Sequence, residues 1–264
     1  MNVSKIIIDS VNQRAILFGG GFGGNYWSDG VYEMSLLDTM YFGWRQTNVS
    51  GPHHKRGYHT FTYDTKLKRG LVFGGDTTDS YPNYNNDVWA LDLTVGNEHW
   101  TRIYPSGYPI PARCASAYGY DANRNKLYVF GGWDFSQGQI FNDVYELNIS
   151  TMVWTKFNPT GITPARRRNA AGVFDIFNNN FIVFDGDNYS SMTSETDILF
   201  LGSTHPEIGE WMATKEIDRP DISVSSPSVG NVRIRYILPV LSSIKVDIVD
   251  MNGRIVKTLY SGTV

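Results

Sequence analysis

Tyr128-Val129-Phe130-Gly131-Gly132, followed by Asn142-Asp143-Val144-Tyr145-Glu146-Leu147 and then by Trp154, is a sentence that this chain writes four times. Self-similarity at a period of tens of residues marks a repeat architecture, in which one unit cannot bury its faces alone and needs neighbours. The anchor doublets are Phe18-Gly19-Gly20, Phe73-Gly74-Gly75, Phe130-Gly131-Gly132 and a worn copy, Phe184-Asp185-Gly186. They are spaced by 55, 57 and 54 residues. An arginine stands eighteen positions before the doublet in three copies, at Arg56, Arg113 and Arg167; in the first copy that place falls on Met1. After the doublet come Val31-Tyr32, Val88-Trp89, Val144-Tyr145 and Ile198-Leu199, and a tryptophan closes each copy at Trp44, Trp100, Trp154 and Trp211.

Each copy reads as β-structure. Gly57 to Tyr63 and Ser116 to Tyr120 are short β-prone runs, and Asp64 to Lys68 and Asp121 to Asn125 are turn-like connections. Leu71-Val72-Phe73 and Tyr128-Val129-Phe130 are continuous apolar runs suited to strands covered on both faces. The segments after the doublet and at the tryptophan supply a third and a fourth strand. These markers resemble the kelch repeat, in which an arginine-led strand, a diglycine, an aromatic and a tryptophan mark one propeller blade. The resemblance covers roughly the first 214 residues, in repeats of about 1–50, 51–107, 108–161 and 162–214. It implies an all-β, kelch-type β-propeller of at least four blades, each of four antiparallel strands.

Composition narrows the function classes. A chain of 264 residues with 41% apolar content can bury a large core. A net charge of −3 argues against nucleic acid as a partner, and no apolar run is long enough to form a transmembrane segment. The single cysteine, Cys114, allows no internal disulfide and reads as a buried thiol. No secretory signal peptide is visible at the start.

After Trp211 the composition shifts. Residues 215–230 read as a linker, and 231–264 as a small immunoglobulin-like β-sandwich module with alternating strands and an Asn252-Gly253 hairpin signal. The run from Ile234 to Pro239, then Val246 to Val256 and Leu259, resembles the first half of the C-terminal sorting domain of bacterial type IX secretion, truncated after Val264. That resemblance implies a secreted or cell-surface bacterial protein that meets secretion machinery through this domain.

Internal repetition separates scaffold from site. Residues recurring in every copy are architecture: Arg56, Arg113 and Arg167 between blades, Gly74, Gly75, Gly131 and Gly132 at the doublets, Trp44, Trp100, Trp154 and Trp211 in the interblade core. Asp87, Asp143 and Asp197 open the third strand in three copies. The loop after the doublet varies. In antiparallel blades these loops share one rim with the segments before the arginines, and that rim carries Tyr26, Trp27, Tyr81, Tyr84, Trp133 and Phe135. Aromatic faces beside amides and carboxylates suit a sugar ring or a peptide; the competing reading folds these rings back over the blade ends.

Catalytic and metal constellations are not found. Adjacent His53 and His54 with His59 lack ligand spacing, Asp185 and Asp187 read as turn residues of a decayed repeat, and Gly19 to Gly24 has no following helix to bind phosphate. The expectation is a non-enzymatic recognition module without cofactor or metal, binding an extracellular glycan or protein at the variable rim. The alternatives are a carbohydrate-active enzyme whose catalytic blades lie outside this chain, and a passive spacer.

Overall fold

A computed structural model of the chain describes residues 3–22, 26–37, 43–51, 55–77, 84–201, 209–213, 243–249 and 255–263. The chain divides into two compact units, Met1–Ala213 and Thr214–Val264.

The first unit is all β and propeller-like, with four blades. Blade one consists of Lys5–Asp9, Arg14–Phe18, Val31–Ser35 and Arg45–Gln46. Blade two consists of Thr60–Asp64, Arg69–Asp76, Tyr84–Asp92 and His99–Ile103. Blade three follows with Ala117–Asp121, Lys126–Phe130, Val144–Asn148 and Val153–Phe157, and blade four with Ala171–Asp175, Asn180–Phe184, Thr196–Leu201 and Gly209–Ala213. Within each blade these four strands pair in sequence order, all antiparallel. An aspartate ends each first strand and makes the turn. Asp64, Asp121 and Asp175 each accept from two backbone N–H groups just downstream, and Asp9 accepts from that of Asn12. The segment entering blades three and four runs parallel beside that blade's own outer strand, at Ser106–Gly107 and Thr160–Gly161, and covers an edge that would otherwise be open.

Alternation along the second strands decides which blade each side chain meets. Val72 turns toward blade one, whereas Leu71 and Phe73 turn toward blade three. Leu127 and Val129 then face blade two, and Tyr128 and Phe130 face blade four. The closing tryptophan packs backward. Trp100 of blade two lies against Phe18 of blade one, and Trp154 of blade three against Phe73 of blade two, with ring centroids 4.7 and 5.0 Å apart.

Two sequence expectations need correction. Trp44 is not core: it is 42% exposed, against 3% for Trp100 and 4% for Trp154. A tryptophan that packs backward needs a preceding blade, and blade one has none in this chain. In blade four the third strand is shifted by two residues. Phe184 pairs with Thr196 where Phe130 pairs with Val144, so Thr196-Asp197, not Ile198-Leu199, stands in the Val144-Tyr145 place. Glu195, not Asp197, therefore matches Asp87 and Asp143. Trp211 lies opposite Leu199 in register, the place of Trp154 opposite Leu147.

In the second unit Ser243–Val249 and Ile255–Thr263 pair as antiparallel strands, with register shifts after Val246 and Ile248. The expected linker, the strand at 232–236 and the Asn252-Gly253 turn lie outside the described residues.

Candidate functional site

The repeat arginines hold each blade's rim together from inside. Arg56 donates through Nη1 to the Gly74 carbonyl at 2.9 Å and reaches both carboxylate oxygens of Asp87. Arg113 does the same with the Gly131 carbonyl and Asp143. Arg167 reaches Glu195 at 3.3 Å and lies 2.9 Å from Asp197. All three are almost completely buried. Burial alone would raise the Asp87 carboxyl, but the charge and hydrogen bonds of Arg56, with that of the Trp89 indole, outweigh it and hold it below the ordinary carboxylate range. The arginine backbone ties blades to each other: the carbonyls of Arg56, Arg113 and Arg167 accept from Gly20, Gly75 and Gly132 of the preceding blade at 2.8, 2.9 and 2.9 Å. This contact requires glycine in the doublet's first place. Its φ is +63° to +66° in the three complete copies, and a Cβ there would sit 2.5–2.7 Å from the next arginine's carbonyl oxygen.

The two residues after each repeat arginine build the centre of the rim on a constant backbone. The first of them forms a two-way backbone bridge to the residue after the doublet: Gly57 with Asp76, Cys114 with Trp133, Arg168 with Asp187. The second adopts a left-handed backbone in blades two, three and four, at Tyr58, Ala115 and Asn169 with φ of 55°, 54° and 58°. Those residues are chained around the centre: Ala115 N–H donates to the Tyr58 carbonyl, and Asn169 N–H to the Ala115 carbonyl, each at 2.8 Å. The hydrogen bonds repeat while the side chains do not. A varied set of side chains is thus presented at one place by an unvarying frame.

Between them lies a cavity of about 120 Å³ lined by Tyr58, Asp76, Tyr84, Cys114, Ala115, Trp133, Arg168 and Asn169. The Arg168 guanidinium lies 4.3 Å from the ring centroid of Trp133 and 3.7 Å from that of Tyr189. Its Nε donates to Asp187 at 2.8 Å, and Asn169 donates to the other oxygen of the same carboxylate at 2.8 Å. Partial burial pushes the Asp187 carboxyl up, but these two hydrogen bonds win and keep it below its usual range. Burial raises the Tyr84 hydroxyl and the Cys114 thiol, so both stay protonated near neutrality. The buried indole N–H of Trp133 has no hydrogen-bond partner. Two larger hollows open on the same rim further out, about 300 Å³ between blades two and three and about 570 Å³ between blades three and four.

The six rim aromatics separate into groups. Tyr84, Trp133 and Phe135 come together: Trp133 has Tyr84 at 5.8 Å and Phe135 at 5.0 Å between ring centroids. Tyr26 is exposed at the edge of blade one. Trp27 is folded back and buried, edge-on to Tyr58 at 5.6 Å over Gly57, so it caps a blade end and offers no free face. Tyr81 lies outside the described residues, as do His53 and His54. Of the two acids of the worn copy, Asp187 is held by Arg168 and Asn169, and Asp185 takes the left-handed backbone of the doublet's first glycine. Among the described residues no group of three or more His, Cys, Asp or Glu is placed to hold a metal ion, and no helix is long and apolar enough to cross a membrane.

Tyr58, Arg168 and Asn169 are additions to the sequence-derived set. The signal for them was present: they stand directly beside the repeat arginines, in columns that differ from copy to copy.

A propeller-like stack of diglycine blades with buried arginines and a variable rim defines a repeat scaffold of the kelch class. The chain belongs to the kelch-repeat family: residues 2–186 match the KLHDC2/KLHL20/DRC7 Kelch-repeats domain. It is 29% identical over 146 residues to Kelch domain-containing protein 3 of Rattus norvegicus, covering 52% of this chain and 36% of that protein. It is 35% identical over 133 residues to Acyl-CoA-binding domain-containing protein 5 of Arabidopsis thaliana, covering 50% and 19%. With Host cell factor 2 of Homo sapiens it shares 27% identity over 191 residues, covering 66% and 23%. The matched part thus spans about a third or less of each of these relatives.

Proposed function

We propose that this chain is a protein-binding kelch module that receives an extended polypeptide segment at the centre of its rim. The observation that carries this reading is the cavity where Arg168, shelved on Trp133 and Tyr189, meets the unmatched Trp133 indole N–H. A flat cation set against two rings that meet edge-on presents a charged edge with apolar surface around it, which suits a backbone carbonyl or carboxylate flanked by apolar side chains. A buried donor without a partner is a group that a ligand can satisfy. Tyr84, Phe135 and Tyr189 surround it with large side chains of few rotamers, the residue types that carry binding energy at low entropic cost. The chemistry is recognition: Cys114 and Tyr84 are held protonated by burial, and the carboxylate of the cavity edge, Asp187, is occupied by hydrogen bonds.

The test is selection from a random peptide library on the 264-residue chain, with Trp133→Ala and Arg168→Ala as parallel targets. Sequences enriched on the parent chain and lost on both variants support the reading. Enrichment that both variants retain removes the rim centre as the site. A glycan ligand is the second reading, favoured by the same cluster of aromatic rings, and binding to a glycan array with the same two variants tests it. Export to the cell surface is proposed from the 234–256 run of the tail alone; its test is whether cells expressing the protein expose it to added protease.

A further inference from the structure

Further out than the rim centre, where the chain crosses from blade two to blade three, the hollow of about 300 Å³ is bordered by Arg102, Tyr104 and Tyr108. Tyr104 is 78% exposed and Tyr108 is 50% exposed. Each ring has a cation against it. The Arg102 guanidinium lies 5.1 Å from the ring centroid of Tyr104 and 5.9 Å from that of Trp89. The Lys156 ammonium lies 5.6 Å from that of Tyr108 and 6.0 Å from that of Tyr145. Among the described residues neither cation forms a salt bridge. The carboxylate in the wall of the hollow, Asp87, is taken up by Arg56 and the Trp89 indole. The crossing is therefore positive and aromatic, in a chain whose net charge is −3.

The repeat does not ask for these side chains. Arg102 and Lys156 stand two residues after a closing tryptophan, a place held by Gln46 in blade one and Ala213 in blade four. Tyr104 and Tyr108 match Asn158 and Ile162 at the next crossing. The backbone is open here as well. Trp100 turns its N–H outward to the Ser50 carbonyl, so Arg102, two residues further along the same strand, turns its own N–H and carbonyl outward. That strand is the outer edge of its sheet, and among the described residues the entering segment pairs with it no further than Trp100.

We propose that this crossing is a second docking site, which takes an acidic polypeptide segment as an added strand on the outer edge of blade two. Its carboxylates meet Arg102 and Lys156, and its apolar side chains lie against Tyr104 and Tyr108. Unpaired cations select a partner that carries acids, and cations already set against rings lose little freedom on meeting one. An outward N–H and carbonyl at a sheet edge are matched by another main chain, which an acidic sugar does not offer. None of the residues lining the rim-centre cavity lines this hollow.

Selection from a random peptide library on the full 264-residue chain carrying Arg168→Ala, which removes the charged edge of the rim centre, tests this. The enriched peptides are expected to carry net negative charge and to bind more weakly as salt is raised. Arg102→Glu and Lys156→Glu should each weaken them by roughly tenfold or more, while Arg102→Lys keeps most of the affinity. At saturation the Arg102 amide should exchange with deuterium more slowly than in the free chain. Should either glutamate variant lose its β-sheet circular dichroism, Tyr104→Ala or Tyr108→Ala, at exposed rings of the same hollow, replaces it. A selection that enriches nothing, or enriches neutral or basic peptides, overturns the proposal. So does binding that survives both charge reversals, or Arg102 exchange that is unchanged at saturation. A heparin oligosaccharide that depends on Arg102 and Lys156 where no peptide does would make the ligand an acidic sugar, and overturns it too.

Discussion

The indole of Trp100 lies 4.7 Å from the ring of Phe18 across the junction of the first two blades, and Trp154 repeats the contact on Phe73 at 5.0 Å. The same residue type therefore has different worth in different copies. Trp154→Ala empties a core site and is expected to cost ~3–5 kcal/mol. Trp44→Ala, at a half-open surface, should stay within ~0.5 kcal/mol in the monomer. Urea unfolding of the two variants beside the parent checks the contrast.

The repeat arginines predict a second asymmetry. Arg113 is buried with its fork on Asp143 and the Gly131 carbonyl. Arg113→Ala removes the charge partner of the Asp143 carboxylate and leaves the Gly131 carbonyl to the Ser116 hydroxyl, and it is expected to cost roughly 3–5 kcal/mol. Arg113→Lys should recover little of it, since one ammonium cannot reproduce two parallel bonds. Thermal and urea unfolding of the pair measure this.

The doublet can be tested at one atom. Gly131→Ala places a methyl 2.6 Å from the Arg167 carbonyl oxygen at a backbone φ of +63°. The expected cost is ~1–3 kcal/mol or more from strain. Asp185→Gly, at the matching place with no following blade in the chain, should leave monomer stability within about 1 kcal/mol.

His59 gives a pH dependence. Burial, with the charges of Arg56 and Lys5 adding to it, holds its imidazole pKa well below 6.5, and neither ring nitrogen has a hydrogen-bond partner. The unfolded chain binds a proton below about pH 6.5 and the folded chain does not. Stability from this group is thus complete above that pH and falls as pH drops below it, by up to ~1.4 kcal/mol per pH unit. Urea midpoints at pH 7.5, 6.5 and 5.5 should decline in the parent, and His59→Gln should flatten the decline.

Much of this fold is legible in the sequence because its markers answer to backbone constraints. Gly19, Gly74 and Gly131 recur because a carbonyl comes too close for any Cβ, and Arg56, Arg113 and Arg167 recur because each must satisfy a buried carbonyl and acid. Spacing alone does not say where a repeat loses its neighbour, so Trp44 reads like Trp100 until the preceding face is seen to be uncovered. The register of the fourth blade slips for a similar reason: Thr196-Asp197 breaks the apolar pattern, and Ile198-Leu199 imitates it two residues on. At the rim, sequence variability picks out Trp133, Tyr84 and Phe135 among the loop aromatics, and their rings lie together. It misplaces Trp27, since packing over Gly57 depends on the absence of a side chain there. Arg168 is hidden beside an architectural arginine, and only the backbone bridge to Asp187 separates the two roles.

The most direct test of the rim-centre account is an amide and indole NMR titration of the isotope-labelled chain with a peptide taken from the library selection. The account predicts shifts at Tyr58, Ala115, Asn169 and the Trp133 indole N–H, with little change at the turns that follow Asp64, Asp121 and Asp175 on the opposite rim. Perturbation confined to those turns, with the Trp133 indole resonance unmoved at saturation, would contradict it.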